Sequence, residues 1–227
     1  MTPPRLAETA GPHVFVDSID SPVLDDLDRE HLERSLRMRS GDPLSFSDGN
    51  GSWSTGALQA NGVVEPSGVV HFVEESPRPL TVAFSLVKGN KPEIVVQKLT
   101  EIGVDRIVAL AAERSVVRWD DSKADRARAR WGRIVREAAM QSHRVRMPEV
   151  LGVIRAEEYL RTTPTVAMAH FDGEQIDASH RSIAVGPEGG WSDSELGLDL
   201  PRVTLGDTVL RAETAAISAA VLLSAAR

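Results

Sequence analysis

Two glycine-marked segments near the C-terminus carry residue types that suit the binding of a small ligand. Residues 186–190 read Gly-Pro-Glu-Gly-Gly and follow the short β-branched run at 182–185. Gly206 and Asp207 follow a second such run at 203–205. Backbone N–H and C=O groups converge where the strands of an open α/β sheet end, and glycines let a ligand approach them closely. Together the two segments predict a pocket whose walls are largely backbone.

The first segment also fits a simpler interpretation, a tight turn between a strand and a helix. Ser192 restarts the chain as a helix, and Glu195 three residues later completes a capping box. Three glycines, a proline and a glutamate within five residues favour a ligand site over a plain turn.

A second set of residues could hold phosphate groups. Residues 123–146 contain eight Lys or Arg against two acidic residues. Trp131, Ile134, Val135 and Ala138 form an apolar stripe, so many of the arginines must face outward. A row of guanidinium groups grips phosphate oxygens bidentately. A solvated helix face is the alternative, but the chain as a whole carries a net charge of −7, so this local positive region favours contact with RNA.

The elements that position these residues divide the chain in two. Residues 1–75 contain short β-like runs separated by turn residues, typical of a small barrel or sandwich, with one helical piece at 25–38. Residues 74–79 read as a linker. Beyond them, strands and helices alternate, which predicts a mostly parallel sheet and hence an α/β fold.

The composition excludes several classes of protein. A chain of 227 residues can hold one large or two small domains, and the absence of cysteine removes disulfides, zinc–thiolate sites and cysteine nucleophiles. The Rossmann and P-loop glycine motifs, a nucleophile elbow and a histidine-rich metal cluster are all absent from the sequence. We find no long apolar run and no signal-like N-terminus, so we expect a cytoplasmic protein without a membrane partner. The net negative charge argues against nonspecific coating of nucleic acid.

The ligand loops resemble those of a known family. The matching residues are Gly186-Pro187-Glu188-Gly189-Gly190-Trp191-Ser192 with Glu195, and Leu205-Gly206 followed by Leu210-Arg211-x-Glu213-Thr214-Ala215. They are similar to the two S-adenosylmethionine-binding loops of the RsmE family. Further similarities occur at residues 31–42, Lys88, 97–104, 113–115 and 141–149. Members of this family belong to the SPOUT superfamily and methylate N3 of one uridine in 16S (small-subunit) ribosomal RNA.

The resemblance covers nearly the whole chain and implies a two-domain fold. Residues 1–75 would form a PUA-like RNA-binding β-barrel, and residues 80–227 a SPOUT methyltransferase domain with a C-terminal trefoil knot. Pattern alone would give an ordinary open α/β sheet. The resemblance also implies a homodimer, and as partner small-subunit ribosomal RNA within the 30S particle.

The resemblance, together with the basic segment at 123–146, assigns residues to three roles. S-adenosyl-L-methionine would be bound by Gly186, Pro187, Glu188, Gly189, Gly190, Leu205, Gly206, Leu210, Arg211, Glu213 and Thr214. The target pocket would be lined by the catalytic candidates Gln141 and Arg144. Contacts with RNA would come from Arg34, Arg37, Arg39, Lys88, Arg126, Arg130 and Arg133.

Uracil N3 must lose a proton as it is methylated, and an arginine beside the uracil oxygens would stabilise the developing anion. We expect Arg144 to do this. We assign no general base, and His170 is a weaker candidate for the rim of the pocket.

Two alternative functions stay open. In one, the glycine loops are only turns and a non-catalytic protein clamps an RNA hairpin with its arginine helix. The presence of both complete cofactor-like loops weighs against this. In the other, SPOUT chemistry is kept but the methyl group goes to a ribose 2′-hydroxyl or to another base.

Overall fold

The computed structural model describes Leu6 and residues 9–226. The chain forms two compact units, one from the residues up to Ser76 with Arg136–Met147, the other from Pro77–Val135 with the residues from Pro148 on. The domain limits expected from the sequence, 1–75 and 80–227, stay a prediction. The structure itself groups residues 136–147 with the N-terminal unit.

The N-terminal unit is built on a mixed five-stranded sheet. Its strands are β1 (His13–Phe15), β2 (Pro43–Ser47), β3 (Ser52–Leu58), β4 (Val64–Pro66) and β5 (His71–Phe72). They are ordered β1-β2-β3-β4, with β5 also paired to β3. Strand β1 runs parallel to β2, and the other pairs are antiparallel. Leu32, Leu44, Phe46 and Leu58 are buried in its core.

A short helix precedes strand β2 in this unit. Helix α1 (Asp26–Glu30) continues as a π-helical turn over His31–Ser35. The helix predicted over residues 25–38 therefore ends early. Arg37 has a φ of 57°, a left-handed conformation that is incompatible with a continuing right-handed helix.

The second unit is an α/β domain with a six-stranded sheet. Its strands are β6 (Thr81–Ser85), β7 (Arg106–Ala111), β8 (Glu149–Arg155), β9 (Ala167–Gln175), β10 (Ser182–Val185) and β11 (Arg202–Thr204). Its helices are α2 (Lys91–Ile102), α3 (Asp121–Gln141), α4 (Ala156–Thr162), α5 (Asp193–Leu196) and α6 (Ala212–Ala225). The strand order is β11-β9-β10-β6-β7-β8 and every pair is parallel.

Burial explains why these segments form this sheet. Every residue of the central strands β6 and β10 is buried, as expected for parallel strands covered on both faces. One face packs on α2, α3 and α6 through Leu99, Trp131 and Leu223. The other face packs on α4 and on Trp191, which precedes α5. From β6 the chain continues to β7 on one side, whereas from β10 it continues towards β11 on the other side of the sheet. Ligands of such sheets bind at the carboxyl ends of the strands beside this switch point.

The predicted fold class, a small β domain followed by an α/β domain, is confirmed. The trefoil knot stays a prediction from the resemblance. Within the described part of the chain, no helix combines the length and apolar character needed to cross a membrane.

Candidate functional site

The segments that follow β10 and β11 enclose a cavity of about 460 Å³. Residues 169–171 of β9 and the first turn of α6 complete its walls. This volume lies in the range of small-molecule and cofactor sites. The two glycine segments singled out in the sequence therefore meet at one cavity.

The first loop is held in place by a tryptophan. Trp191 is buried, and its indole N–H donates a hydrogen bond to the carbonyl of Ala169 at 3.2 Å. A Cβ atom on Gly186 would lie only 3.0 Å from the Trp191 ring, so a larger residue cannot occupy this position without displacing the indole. Gly190 has a φ of 71°, which lets the loop turn back towards α5.

A buried carboxylate fixes the end of the same loop. The capping box predicted from the sequence is present, because Ser192 Oγ accepts from the Glu195 N–H and a Glu195 oxygen accepts from the Ser192 N–H at 2.8 Å. The other oxygen of Glu195 accepts from the backbone N–H of Glu113 at 3.1 Å. The loop therefore has a fixed backbone conformation.

The second loop has a polar turn and an apolar tip. The Thr204 hydroxyl donates to the carbonyl of Gly206 at 3.2 Å, and Gly206 has a φ of 128°. Val209 follows with 81% of its surface exposed, and Phe171 on β9 is 72% exposed. Both line the cavity, so its mouth is apolar and open.

The cavity collects most of the residues predicted to hold the cofactor. Those that line it are Gly186, Pro187, Glu188, Gly189, Gly190, Leu205, Gly206 and Leu210. Arg211, Glu213 and Thr214 lie where α6 begins, outside the lining.

Glu213 is tied to the start of α2. Its carboxylate forms a 2.7 Å ion pair with Lys91. Partial burial acts to raise the pKa of Glu213, but hydrogen bonds from Lys91 and from its own backbone N–H outweigh this and hold that pKa below its ordinary value. The pair joins the first turns of α2 and α6, the second of which walls the cavity.

A row of three hydrogen-bonded side chains lies at the cavity wall, and the sequence analysis largely missed it. His170 lines the cavity, and its Nδ1 is hydrogen-bonded to Asp172, whose second oxygen accepts from Arg202 at 2.9 Å. The hydrogen bond with His170 lowers the pKa of Asp172. Only the alternation along β9 could have placed His170 and Asp172 on one face, whereas Arg202 comes from the neighbouring strand.

Arg114 also lines the cavity, although the sequence analysis had assigned it no role at the site. It donates to the carbonyl of Trp191 at 2.9 Å and pairs with Asp193 at 3.2 Å. Its segment, 113–115, had been noted only for its family resemblance.

Gln141 and Arg144 belong to the N-terminal unit, at the end of α3. The Arg144 N–H bonds the Ala139 carbonyl at 2.8 Å, the His143 N–H bonds the Met140 carbonyl at 3.1 Å, and His143 has a φ of 53°. This is the Schellman arrangement, which ends a helix with one left-handed residue.

A buried histidine, His13, contacts the turn that contains Arg144. His13 lies between the hydroxyls of Ser45 and Ser47, at 3.1 and 3.0 Å, and hydrogen-bonds the backbone of Arg144. Burial, followed by the charge of nearby His143, lowers the pKa of His13 to about 3. The ring is therefore neutral near pH 7.

The predicted RNA-binding residues fall into two groups. Arg34, Arg37 and Arg39 are exposed on the N-terminal unit. Lys88, Arg126 and Arg130 line a second cavity in the α/β unit, and Arg133 is exposed further along α3. Arg136, one of the eight basic residues of the 123–146 segment, is half-buried and pairs with Asp25 and Asp28.

Known proteins resemble this chain over most of its length. Residues 74–224 match a family model described as an RNA methyltransferase domain. The ribosomal RNA small subunit methyltransferase E of Mycobacterium bovis is 32% identical over 221 residues, which cover 86% of this chain and 82% of the relative.

Two solved structures are similar in fold. One is a ribosomal RNA small subunit methyltransferase E from Neisseria gonorrhoeae bound to S-adenosylmethionine, with a TM-score of 0.79, 28% identity, and coverage of 94% of this chain and 97% of its own. The other is a protein from Legionella pneumophila in complex with S-adenosylmethionine, with a TM-score of 0.81, 27% identity, and coverage of 96% and 98%.

Proposed function

We propose that this chain, which belongs to the RsmE family of ribosomal RNA small subunit methyltransferases, transfers a methyl group from S-adenosylmethionine to N3 of one uridine in 16S ribosomal RNA. The observation that carries the proposal is the cavity after β10 and β11. Its lining consists largely of the loop residues that resemble the family's cofactor loops. Relatives solved with S-adenosylmethionine at 27–28% identity support the same ligand.

The residues of the cavity fit this cofactor. Gly186, Gly189 and Gly190 leave the backbone accessible, and Glu188 supplies a carboxylate that complements a cationic sulfonium and ammonium group. Leu205 and Leu210 offer apolar surface for a heterocyclic ring. When bound, S-adenosylmethionine supplies an electrophilic methyl group.

The chain itself contributes positioning and charge to the reaction. Loops with fixed backbones hold reactants in an aligned geometry, which is a large part of catalysis of a two-substrate reaction. The target uridine must be single-stranded or extruded, since pairing hides its N3. We assign to Arg144 the stabilisation of the uracil anion and to Gln141 a contact with the base, both on the strength of the family motif.

We also propose a homodimer. Helices α2 and α6 pack together, and Ile94 on α2 with Val221 and Leu222 on α6 are apolar and exposed. These side chains are available for contact with a second copy.

Calorimetric titration with S-adenosylmethionine tests the cofactor assignment. The wild type is expected to bind saturably and Gly189→Trp to lose binding, because Gly189 lines the cavity. Gly132→Trp is the matched control, since Gly132 lies in open space on α3. A folded wild type that does not bind would refute the proposal.

Mapping of methylation on small-subunit RNA tests the target. Transfer to a uridine N3 is expected, with Arg144→Ala abolishing turnover but not cofactor binding. Arg155→Ala, a surface residue paired with Glu158, is the matched control. A methyl group on a ribose 2′-hydroxyl or another base would favour the second alternative above, and cofactor-independent RNA binding the first.

A further inference from the structure

A second cavity, of about 540 Å³, lies in the α/β unit at the amino end of α2. It is lined by the loop after β6, by residues 117–119 and by one face of α3 between Lys123 and Arg130. It shares no lining residue with the cavity at β10 and β11. It thus offers a separate binding site.

Positive charge dominates the lining. The lining contains four cationic side chains, those of Lys88, Lys123, Arg126 and Arg130. Glu93 is the one carboxylate among the described lining residues. All four cationic residues are exposed to solvent at the rim. Such a group attracts an anion, and guanidinium groups suit a phosphate in particular.

An aromatic ring stands among these cations. Trp119 is half-buried, and the Lys123 ammonium lies 5.1 Å from its ring centroid. Behind it, the buried Trp131 ring packs at a centroid distance of 5.8 Å. Trp119 is therefore backed by the core, and a fixed indole is a stacking surface that accepts any nucleobase.

A carboxylate oxygen at the bottom of the cavity has no donor. One oxygen of Glu93 pairs with Arg130 at 3.3 Å, whereas Oε2 is buried without a hydrogen-bond partner in the described part of the chain. The side chain is only 15% exposed. A buried acceptor left unpaired is costly, so a ligand with an O–H or N–H group would satisfy it.

These three features match one class of ligand. Free phosphate would use the cations but not the ring. A nucleotide has an anionic phosphate, a flat base and a hydroxyl-bearing ribose. We propose that this cavity binds one nucleotide of single-stranded RNA, with its phosphate on Lys88 and Arg126 and its base against Trp119. The inference rests on the proposed function, since it makes the nucleotide part of the RNA that carries the methylated uridine.

Binding of a short single-stranded RNA containing 2-aminopurine tests the site. The fluorescence of this base falls when it stacks on an indole. Trp119→Leu is expected to weaken binding roughly tenfold and to abolish the quenching, whereas Trp119→Phe retains most of the affinity. Arg126→Ala is expected to lower the salt dependence of log K by about one unit of slope.

Arg128→Ala is the matched control, because Arg128 is exposed on the same helix but does not line the cavity. Equal losses in Arg126→Ala and Arg128→Ala, or quenching that survives Trp119→Leu in a folded protein, would overturn the proposal. So would a mononucleotide that binds as tightly as the RNA, which would indicate a site for a free nucleotide. If Trp119→Leu does not fold, the comparison of Arg126→Ala with Arg128→Ala and the affinity of Trp119→Phe test the proposal instead.

Calorimetry with S-adenosylmethionine separates this inference from the proposed function. The Trp119 and Arg126 variants are expected to bind the cofactor like the wild type, since neither residue lines the first cavity. Weakened RNA binding with intact cofactor binding supports the second site. If the wild type does not bind the cofactor, the methyltransferase proposal is refuted. The RNA affinities of the variants can still be compared in that case.

Discussion

Acidification from pH 7 to pH 5 is expected to destabilise the N-terminal unit through one histidine. His13 is buried on β1 between the hydroxyls of Ser45 and Ser47 on the paired strand β2. Burial lowers its pKa from 6.5 to about 3, with a further contribution from nearby His143. In the unfolded chain the same ring is hydrated and gains a proton near its ordinary pKa.

The sign and size of the effect follow from proton linkage. Between pH 6.5 and 3 the unfolded chain binds a proton that the folded chain does not, so the free energy of unfolding decreases as the pH falls. From pH 7 to pH 5, a site with these two pKa values contributes a loss of about 2 kcal/mol. This is a sizeable part of the 5–15 kcal/mol that typically stabilises a protein.

Urea unfolding at both pH values measures this loss, with amide exchange in β2 reporting on the N-terminal unit. His13→Gln removes the titrating ring but keeps an amide that can bond Ser45 and Ser47. Its decrease in stability between pH 7 and 5 is expected to be smaller than that of the wild type by about 2 kcal/mol. His31→Gln, at an exposed histidine, is the control and should retain the full decrease. An equal pH dependence in wild type and His13→Gln would refute the reasoning.

Three further predictions concern single side chains. Gly186→Val is expected to weaken S-adenosylmethionine binding roughly tenfold or more in calorimetry, because its Cβ would lie 3.0 Å from the Trp191 ring; unchanged affinity would contradict this. Glu195→Ala removes the capping carboxylate that accepts from two backbone N–H groups, so the free energy of unfolding should fall by about 1–2 kcal/mol in thermal unfolding. An unchanged free energy of unfolding would contradict this role of Glu195. Arg136→Ala leaves the buried Asp28 carboxylate without its guanidinium, so the pKa of Asp28, already raised by burial, should rise further in NMR titration, and stability should fall by about 1–3 kcal/mol. An unshifted pKa of Asp28 would show that the pair is unimportant.

Local signals in the sequence predicted the elements that support the candidate site. The capping box at Ser192 and Glu195 is made within four residues, which is why the sequence alone predicted it. Short β-branched runs at 182–185 and 203–205 marked the strands β10 and β11. Each of these features depends on neighbours in the chain, which is why a single sequence suffices for them.

Features that depend on distant residues escaped prediction. Arg136 belongs to the basic segment for which RNA contact was predicted, yet it pairs with Asp28, 108 residues earlier. His13 and the serines that enclose it meet only through the register of β1 on β2. The packing of Trp119 against Trp131 depends on how the segment before α3 folds back. Periodicity fixes the buried face of an element but not the side chains that face it.

The pairing of β6 with β10 has a consequence for how the chain folds during synthesis. The Ser85 hydroxyl on β6 bonds the carbonyl of Val185 on β10, 100 residues later. At translation rates of about 5–20 residues per second, the first strand waits roughly 5–20 seconds for its neighbour. Throughout that interval a strand whose every residue is buried in the finished domain has one open edge. Such an edge can pair with another nascent chain, so yield should depend on chaperone supply and on slower growth rather than on the stability of the finished domain.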